Sequence, residues 1–349
     1  MNQKTKKILI VSCILLFIFV IKILSFPNDY EIEKDNHKND LDAYLKLSSN
    51  ILKGNEEDRQ YQYPPLYSIL LIPALFTDTT AFVLILNIMF SVFTFLPLWL
   101  ISKRFTKGFF QYLIPFVIIL FDMVFTYKSY GYPMALSAFL LAWFIYFFMD
   151  IHLNRKYVLY SGMIFGLMIA TKYVFFYMVP FLSLWILFGG KDRIKKILLF
   201  FLPSVVAFGL WSLRNIIFHN DAIGGYRTLF SGQFLQIYPD TIPSKITSII
   251  TCVEPNIIFN CLVLFLVSIV ILTKYKERFY LYCNNDIKFH WLFFMNYLIF
   301  FFLPGMTYNR FYLNWRYLSY FNPVILVLIF CIVVTMMEEY MIAKTKGKN

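Results

Sequence analysis

The chain has 349 residues, 59% hydrophobic and 15% charged, with 41 Phe, 25 Tyr and a mean hydropathy of +0.63; a soluble chain has about 25% charged residues. Long apolar runs and only five cysteines exclude disorder, a fibrous repeat and a disulfide-stapled scaffold. The net charge of +12 fits nucleic acid, anionic lipid or the topological bias of a membrane protein, and its distribution along the chain decides among them.

A membrane-spanning helix needs about 20 mostly apolar residues. Such runs are predicted at 7–26, 80–102, 109–127, 133–150, 157–172, 174–190, 197–215, 257–273, 290–304 and 317–337. The expected fold class is therefore all-α, a polytopic membrane protein with about ten transmembrane helices and one amphipathic helix beside the membrane in the first outer loop. The first run follows Lys6 and Lys7 but continues past Lys22 to Phe26 with no small-x-small cleavage site, which predicts an uncleaved anchor. The apolar stretch 64–76 is too short to cross and is expected at the interface.

With the N-terminus on the cytoplasmic side, alternate loops share that side. They carry nineteen basic residues against the six acids Asp150, Asp192, Glu277, Asp286, Glu338 and Glu339. That side nets +13, which leaves −1 for the rest of a +12 chain. Such a split is the positive-inside pattern; it predicts a multi-pass protein of the cell membrane with both termini cytoplasmic, and it accounts for the basic balance with no nucleic-acid partner. No CxxC metal pair or disulfide framework is present.

The expected organisation is one integral-membrane domain over 1–349, with outer loops 27–66 and 216–256 and a short cytoplasmic tail 338–349. In the first loop, Leu41, Tyr44, Leu45, Leu47 or Ser48, Ile51 and Leu52 recur at helical spacing. Asn39 or Asp40 is positioned to cap this helix and Gly54 to end it, which predicts Asp40 and Asp42 at its N-terminus, facing a cavity. Nine acids lie in this loop, and most are expected simply to be solvated. Asp122 falls inside an apolar run, and an ionisable residue there is a functional candidate by default, although Lys128 and the interface lie nearby.

Several motifs carry a resemblance when taken in order. An Asp-x-Asp follows the first span (Asp40, Asp42), with Tyr44 next on the helix, Gly54 at its end, and Tyr63-Pro64-Pro65-Leu66 before the next span. Gly166–Pro180 reads GLMIATKYVFFYMVP; Trp211-Ser212-Leu213-Arg214-Asn215 follows, and later Trp315-Arg316-Tyr317-Leu318 with Pro323. This set resembles the integral-membrane glycosyltransferases of the GT-C class, in the branch of protein O-mannosyltransferases, aminoarabinose transferases and rhizobial lipopolysaccharide sugar transferases.

The resemblance implies inverting transfer of a sugar from a polyprenyl-phosphate carrier to an extracytoplasmic hydroxyl or amine of a glycan, lipid or protein. It makes Asp40 the general base, with Asp42 as the alternative and Asp122 as a candidate second acid. The family's more usual second acidic position is here Tyr132-Pro133-Met134. Positive charge for the departing phosphate is expected from Lys128, Lys172, Arg214, Arg310 and Arg316 at span ends and Arg59 in the loop. Tyr44, Tyr63 and Tyr317 complete the candidate substrate-binding set; Tyr63 stands where the aminoarabinose branch has Lys. No cofactor is expected; a divalent metal held by His37 or His219 with Asp40 or Asp42 is a minor alternative to solvated histidines.

Two other classes compete. A polysaccharide polymerase would place its large loop later in the chain, and a lipid-linked glycan transporter would show inverted repeats and several acids deep in its spans. Apart from Asp122 the spans are nearly free of acids.

Overall fold

The computed structural model describes residues 3–24, 30–54, 63–121, 133–151, 154–188 and 192–221 and scattered helical positions between 324 and 337, with backbone alone at 30–40 and a few other helical positions. Every regular element among the described residues is helical. We label them α1 (Gln3–Leu24), α2 (Tyr30–Lys53), α3 (Pro65–Leu70), α4 (Thr79–Phe93), α5 (Phe95–Phe105), α6 (Phe110–Phe121), α7 (Met134–Phe148), α8 (Arg155–Thr171), α9 (Val179–Phe188) and α10 (Arg193–His219), with 3-10 turns at Ile72–Phe76 and Tyr173–Met178. Predicted spans 257–273 and 290–304 lie outside the described residues, and 317–337 lies there in part.

Three helical stretches are long and apolar enough to cross a bilayer: Thr5–Leu24, Thr79–Phe105 and Arg193–His219. The middle one joins α4 and α5 through Thr94, whose hydroxyl and N–H both donate to the Phe90 carbonyl. The stretch 64–76 is two short pieces, α3 and the turn after it. Pro73 accounts for the break between them, since its nitrogen cannot donate to a continuing helix, while Pro64 and Pro65 lie at the start of α3, where proline is tolerated. Pro180 has a similar effect on the predicted span 174–190, which opens as the 3-10 turn Tyr173–Met178 before α9 begins.

The first-loop helix departs from expectation at its start. It begins at Tyr30 rather than near Asn39, so Asp40 and Asp42 lie within α2 and not at its N-terminus. Residues 30–39 include two Glu and two Lys, which are good helix formers, and acids early in a helix complement its dipole; this segment lacks the apolar periodicity that would have marked it. The far end is as expected. Gly54 adopts φ +66° and its N–H donates to the Asn50 carbonyl at 2.9 Å, a left-handed cap that glycine adopts without Cβ strain.

The core forms where α7 and α8 run antiparallel and α8 and α10 run parallel. Phe144, Phe148, Phe165 and Phe200 are all buried there, in tilted or edge-on pairs. Gly162 on α8 lies against the Phe200 backbone and Gly166, one turn on, against Ser204; small residues let two helices approach this closely in an apolar surround. At one end of the bundle, Arg104 pairs with Asp150 at 2.7 Å and covers the Tyr146 ring at 4.7 Å. Arg155 pairs with Asp192 at 2.9 Å near the same end. The C-terminal ends of α8 and α10 lie at the opposite end, because α8 and α10 start together and run parallel. Val324, Val327, Leu328 and Cys331 are buried, and the Cys331 thiol donates to Ser102 Oγ on α5 at 3.5 Å.

Candidate functional site

The end of the bundle opposite those ion pairs gathers several of the predicted residues. α2 packs on α3 and on the turn that follows it. Leu41, Ala43, Tyr44, Leu47 and Ser48 are buried, while Asp42 and Lys46 are exposed. The Ser48 hydroxyl reaches the Ser68 carbonyl at 2.7 Å and its own helix at Tyr44, which pins α2 against α3. Tyr44 meets the Tyr63 ring edge-on at 5.1 Å and the Tyr67 ring at 5.2 Å, a favoured geometry for aromatic pairs.

The Tyr63 turn is held from the other side by Tyr173, whose phenol donates to the Tyr63 carbonyl at 3.2 Å. Tyr173 lies in the short turn between α8 and α9. Burial pushes its phenol far above the ordinary range, an effect that the neighbouring Trp211 indole only partly offsets; it is a neutral donor at any physiological pH. Gly162 against Phe200, Gly166 against Ser204 and Tyr173 against Trp211 follow one parallel register along α8 and α10. The packing of small residues in mid-bundle therefore delivers Trp211 to Tyr173.

Arg214 stands one turn beyond Trp211. Its guanidinium lies 4.5 Å from the Trp211 ring and 5.6 Å from the Phe218 ring, and it donates to Asn215 Oδ1 at 3.3 Å. Stacking of this kind fixes the plane of a guanidinium, whose planar fork of donors suits an anion. Lys172 ends α8 with extended backbone, and its ammonium is 3.3 Å from the Met134 sulfur at the start of α7. A thioether is a weak neutral acceptor, so this contact places the charge without cancelling it.

Of the predicted substrate-binding set, Tyr44 and Tyr63 touch, Lys172 adjoins the residue that holds Tyr63, and Arg214 follows through Trp211. Asp42 is exposed on the side of α2 away from this cluster. Asp40 lies on the α2 backbone, where only helix position is described. At about 100° per residue, it falls between Leu47 and Tyr44 in the buried stripe, and Asp42 falls roughly opposite. His37 is likewise on the α2 backbone; His219 is in the last turn of α10. Among the described residues no group of three His, Cys, Asp or Glu side chains converges. Arg59, Asp122, Lys128, Arg310, Arg316 and Tyr317 lie outside the described residues.

Two residues in this half of the molecule carry no mark in the sequence. Tyr173 is one of 25 tyrosines, and nothing in its local motif distinguishes it. Lys22, two residues from the end of α1, reads as an ordinary flanking lysine, yet it is 1% exposed and its ammonium donates to the Ser91 hydroxyl on α4. An ionisable group buried in a transmembrane bundle is costly, and this one ties α1 to α4 just before the chain enters α2.

Comparison with known proteins gives one family. Residues 63–214 match the model described as dolichyl-phosphate-mannose-protein mannosyltransferase, a segment that runs from the Tyr63 turn through Lys172 and Tyr173 to Arg214. No curated protein and no solved structure matches the chain. Through this segment, somewhat under half of its length, the chain is similar to the dolichyl-phosphate-mannose-protein mannosyltransferase family of the GT-C group, membrane glycosyltransferases that use lipid-linked sugar donors.

Proposed function

We propose that the chain is an inverting transferase that moves a sugar from a polyprenyl-phosphate donor to an extracytoplasmic hydroxyl or amine of a cell-envelope glycan, lipid or protein. One observation carries the reading: the buried stripe of α2 meets the Tyr63 turn, which Tyr173 joins to Trp211 and Arg214. An acid one turn before Tyr44 and two cations within the matched segment thus share one end of the bundle.

Asp40 takes the proton from the acceptor as its oxygen or nitrogen attacks the anomeric carbon. The carbon–oxygen bond to the carrier breaks, and its electron pair leaves on the phosphate. Lys172 and Arg214 stabilise the growing negative charge in a water-poor site, where fixed positive groups act most strongly. Tyr44 and Tyr63 offer aromatic surface to the sugar. Arg59, Lys128, Arg310, Arg316 and Tyr317 are further donor contacts, and Asp122 a second acid, on motif and position alone. Asp42, on the exposed side of α2, is a solvated charge in this scheme.

The domain is a single membrane unit over 1–349 with both termini cytoplasmic, the site on the far side, and the acceptor recognised chiefly by residues 216–256. It needs no bound cofactor. An alkaline phosphatase reporter fused after Arg59 is expected to be active; an inactive fusion with an active one after Lys107 would reverse the orientation.

The donor class is read out by extracting lipids that co-purify with the protein. A polyprenyl phosphate or its glycosylated form, enriched over bulk membrane, is the expected species in mass spectrometry. Its absence, with only bulk phospholipid recovered, would count against a lipid-linked donor.

A further inference from the structure

The residue that links the predicted cations lies within the Gly166–Pro180 motif, and the proposed chemistry gives it no role. Tyr173 is 8% exposed. Its phenol donates to the Tyr63 carbonyl at 3.2 Å, and the Trp211 indole faces the same phenol. That approach stops short of full hydrogen-bond geometry, since the buried Trp211 Nε1 has no hydrogen-bond partner among the described residues. Two cations depend on the arrangement. Lys172 is the preceding residue on the same backbone, and the Arg214 guanidinium stacks on the Trp211 ring at 4.5 Å.

Recognition of a phosphate by one Lys and one Arg needs a fixed spacing, because the ammonium is a mobile point charge on a long stem and the guanidinium is a planar fork. Neither cation supplies that spacing itself. It is set by what anchors the Lys172 backbone and what orients the Trp211 ring, and Tyr173 contacts both. We propose that Tyr173 is the positioning residue for the donor phosphate: its phenol ties the Tyr63 turn to the Trp211 platform and so holds Lys172 and Arg214 at the separation that one prenyl-phosphate head group bridges. This rests on the transferase reading above, and Tyr173 itself touches no reacting atom in it.

The phenol oxygen can be removed while the ring remains. In Tyr173→Phe the aromatic packing of the turn is preserved, but the hold on Tyr63 and the surface facing Trp211 are lost. Full-length protein in lipid nanodiscs is titrated with undecaprenyl phosphate, and with glycosylated donor where transfer is measured. Tyr173→Phe is expected to weaken undecaprenyl phosphate binding about tenfold, the loss typical of one hydrogen bond that orients a charged contact. KM for the donor rises by a similar factor, while KM for the acceptor and the melting temperature stay close to wild type.

A general packing role would instead move both KM values and the melting temperature together, and that result overturns the proposal. So does unchanged undecaprenyl phosphate affinity in Tyr173→Phe when the wild type binds. If the wild type itself binds no undecaprenyl phosphate, the donor reading falls and this inference falls with it. Trp211→Phe gives an independent route should Tyr173→Phe fold poorly, because it keeps a smaller aromatic ring at this position and removes the indole edge that faces the Tyr173 phenol. It is expected to weaken binding in the same direction, and the double variant should be no worse than the weaker-binding single one, as for two parts of one link. Fully additive losses would show that the two residues act separately, against the proposal.

Discussion

Replacing Asp40 with Asn should lower sugar transfer by about 10²–10⁴-fold, the usual contribution of a positioned general base, while the protein still inserts and melts like the wild type. Asn keeps the shape of the side chain and removes its ability to take a proton. The position is singled out by helical register: Asp40 falls in the stripe of α2 that carries Leu41, Tyr44 and Leu47 into the bundle, whereas Asp42 lies on the exposed side. Asp42→Asn is therefore expected to retain most activity. If Asp42→Asn abolishes transfer and Asp40→Asn does not, the assignment of the base is reversed; if both are fully active, the base lies elsewhere.

Replacing Gly162 with Ala should be the most damaging single-methyl change in the described bundle. A Cβ there would sit 2.1 Å from the Phe200 carbonyl oxygen and 2.8 Å from its carbon, and both belong to backbone. No side chain can swing away, so α8 and α10 must separate. Overpacking of this kind costs about 1–3 kcal/mol or more, and it disturbs the register that brings Trp211 to Tyr173. Thermal denaturation in detergent should show a clearly lower melting temperature, with donor affinity reduced as well. Gly209 on α10 supplies the control. A Cβ there meets nothing within 4 Å, so Gly209→Ala should be neutral or stabilising by up to about 1 kcal/mol, the difference in helix propensity. Equal destabilisation by the two changes would mean that helix propensity or lipid contact, not the α8–α10 approach, controls the response.

The transmembrane framework was legible because long apolar runs leave few alternatives. α1, the joined α4–α5 stretch and α10 all lie where hydropathy and basic flanks put them. The short pieces at 64–76 and 173–178 follow from prolines that interrupt otherwise apolar sequence. The beginning of α2 was not legible in this way, since residues 30–39 are a charged stretch whose helicity rests on propensity and dipole effects with no apolar stripe to reveal it.

The candidate site was legible residue by residue but not as an arrangement. Tyr44, Tyr63, Lys172 and Arg214 stand out through motif order, yet nothing in one dimension says that a tyrosine between α8 and α9 joins them. That link depends on the parallel register of α8 and α10, which is set by Gly162 and Gly166 far from the site. Lys22 escaped notice for a related reason: burial against Ser91 is a property of the α1–α4 interface, invisible in a lysine that happens to fall near the end of a span.

The central claim, transfer of a sugar from a lipid-linked donor, is tested most directly with purified full-length protein in nanodiscs, given a polyprenyl-phosphate sugar labelled on both sugar and lipid, with membranes from cells lacking the protein as the acceptor source. The account predicts that sugar label leaves the lipid fraction for a non-extractable or newly sized product, with one polyprenyl phosphate released per sugar moved, and that Asp40→Asn stops both. Label that stays wholly on the donor, across monophosphate and diphosphate carriers, would contradict it.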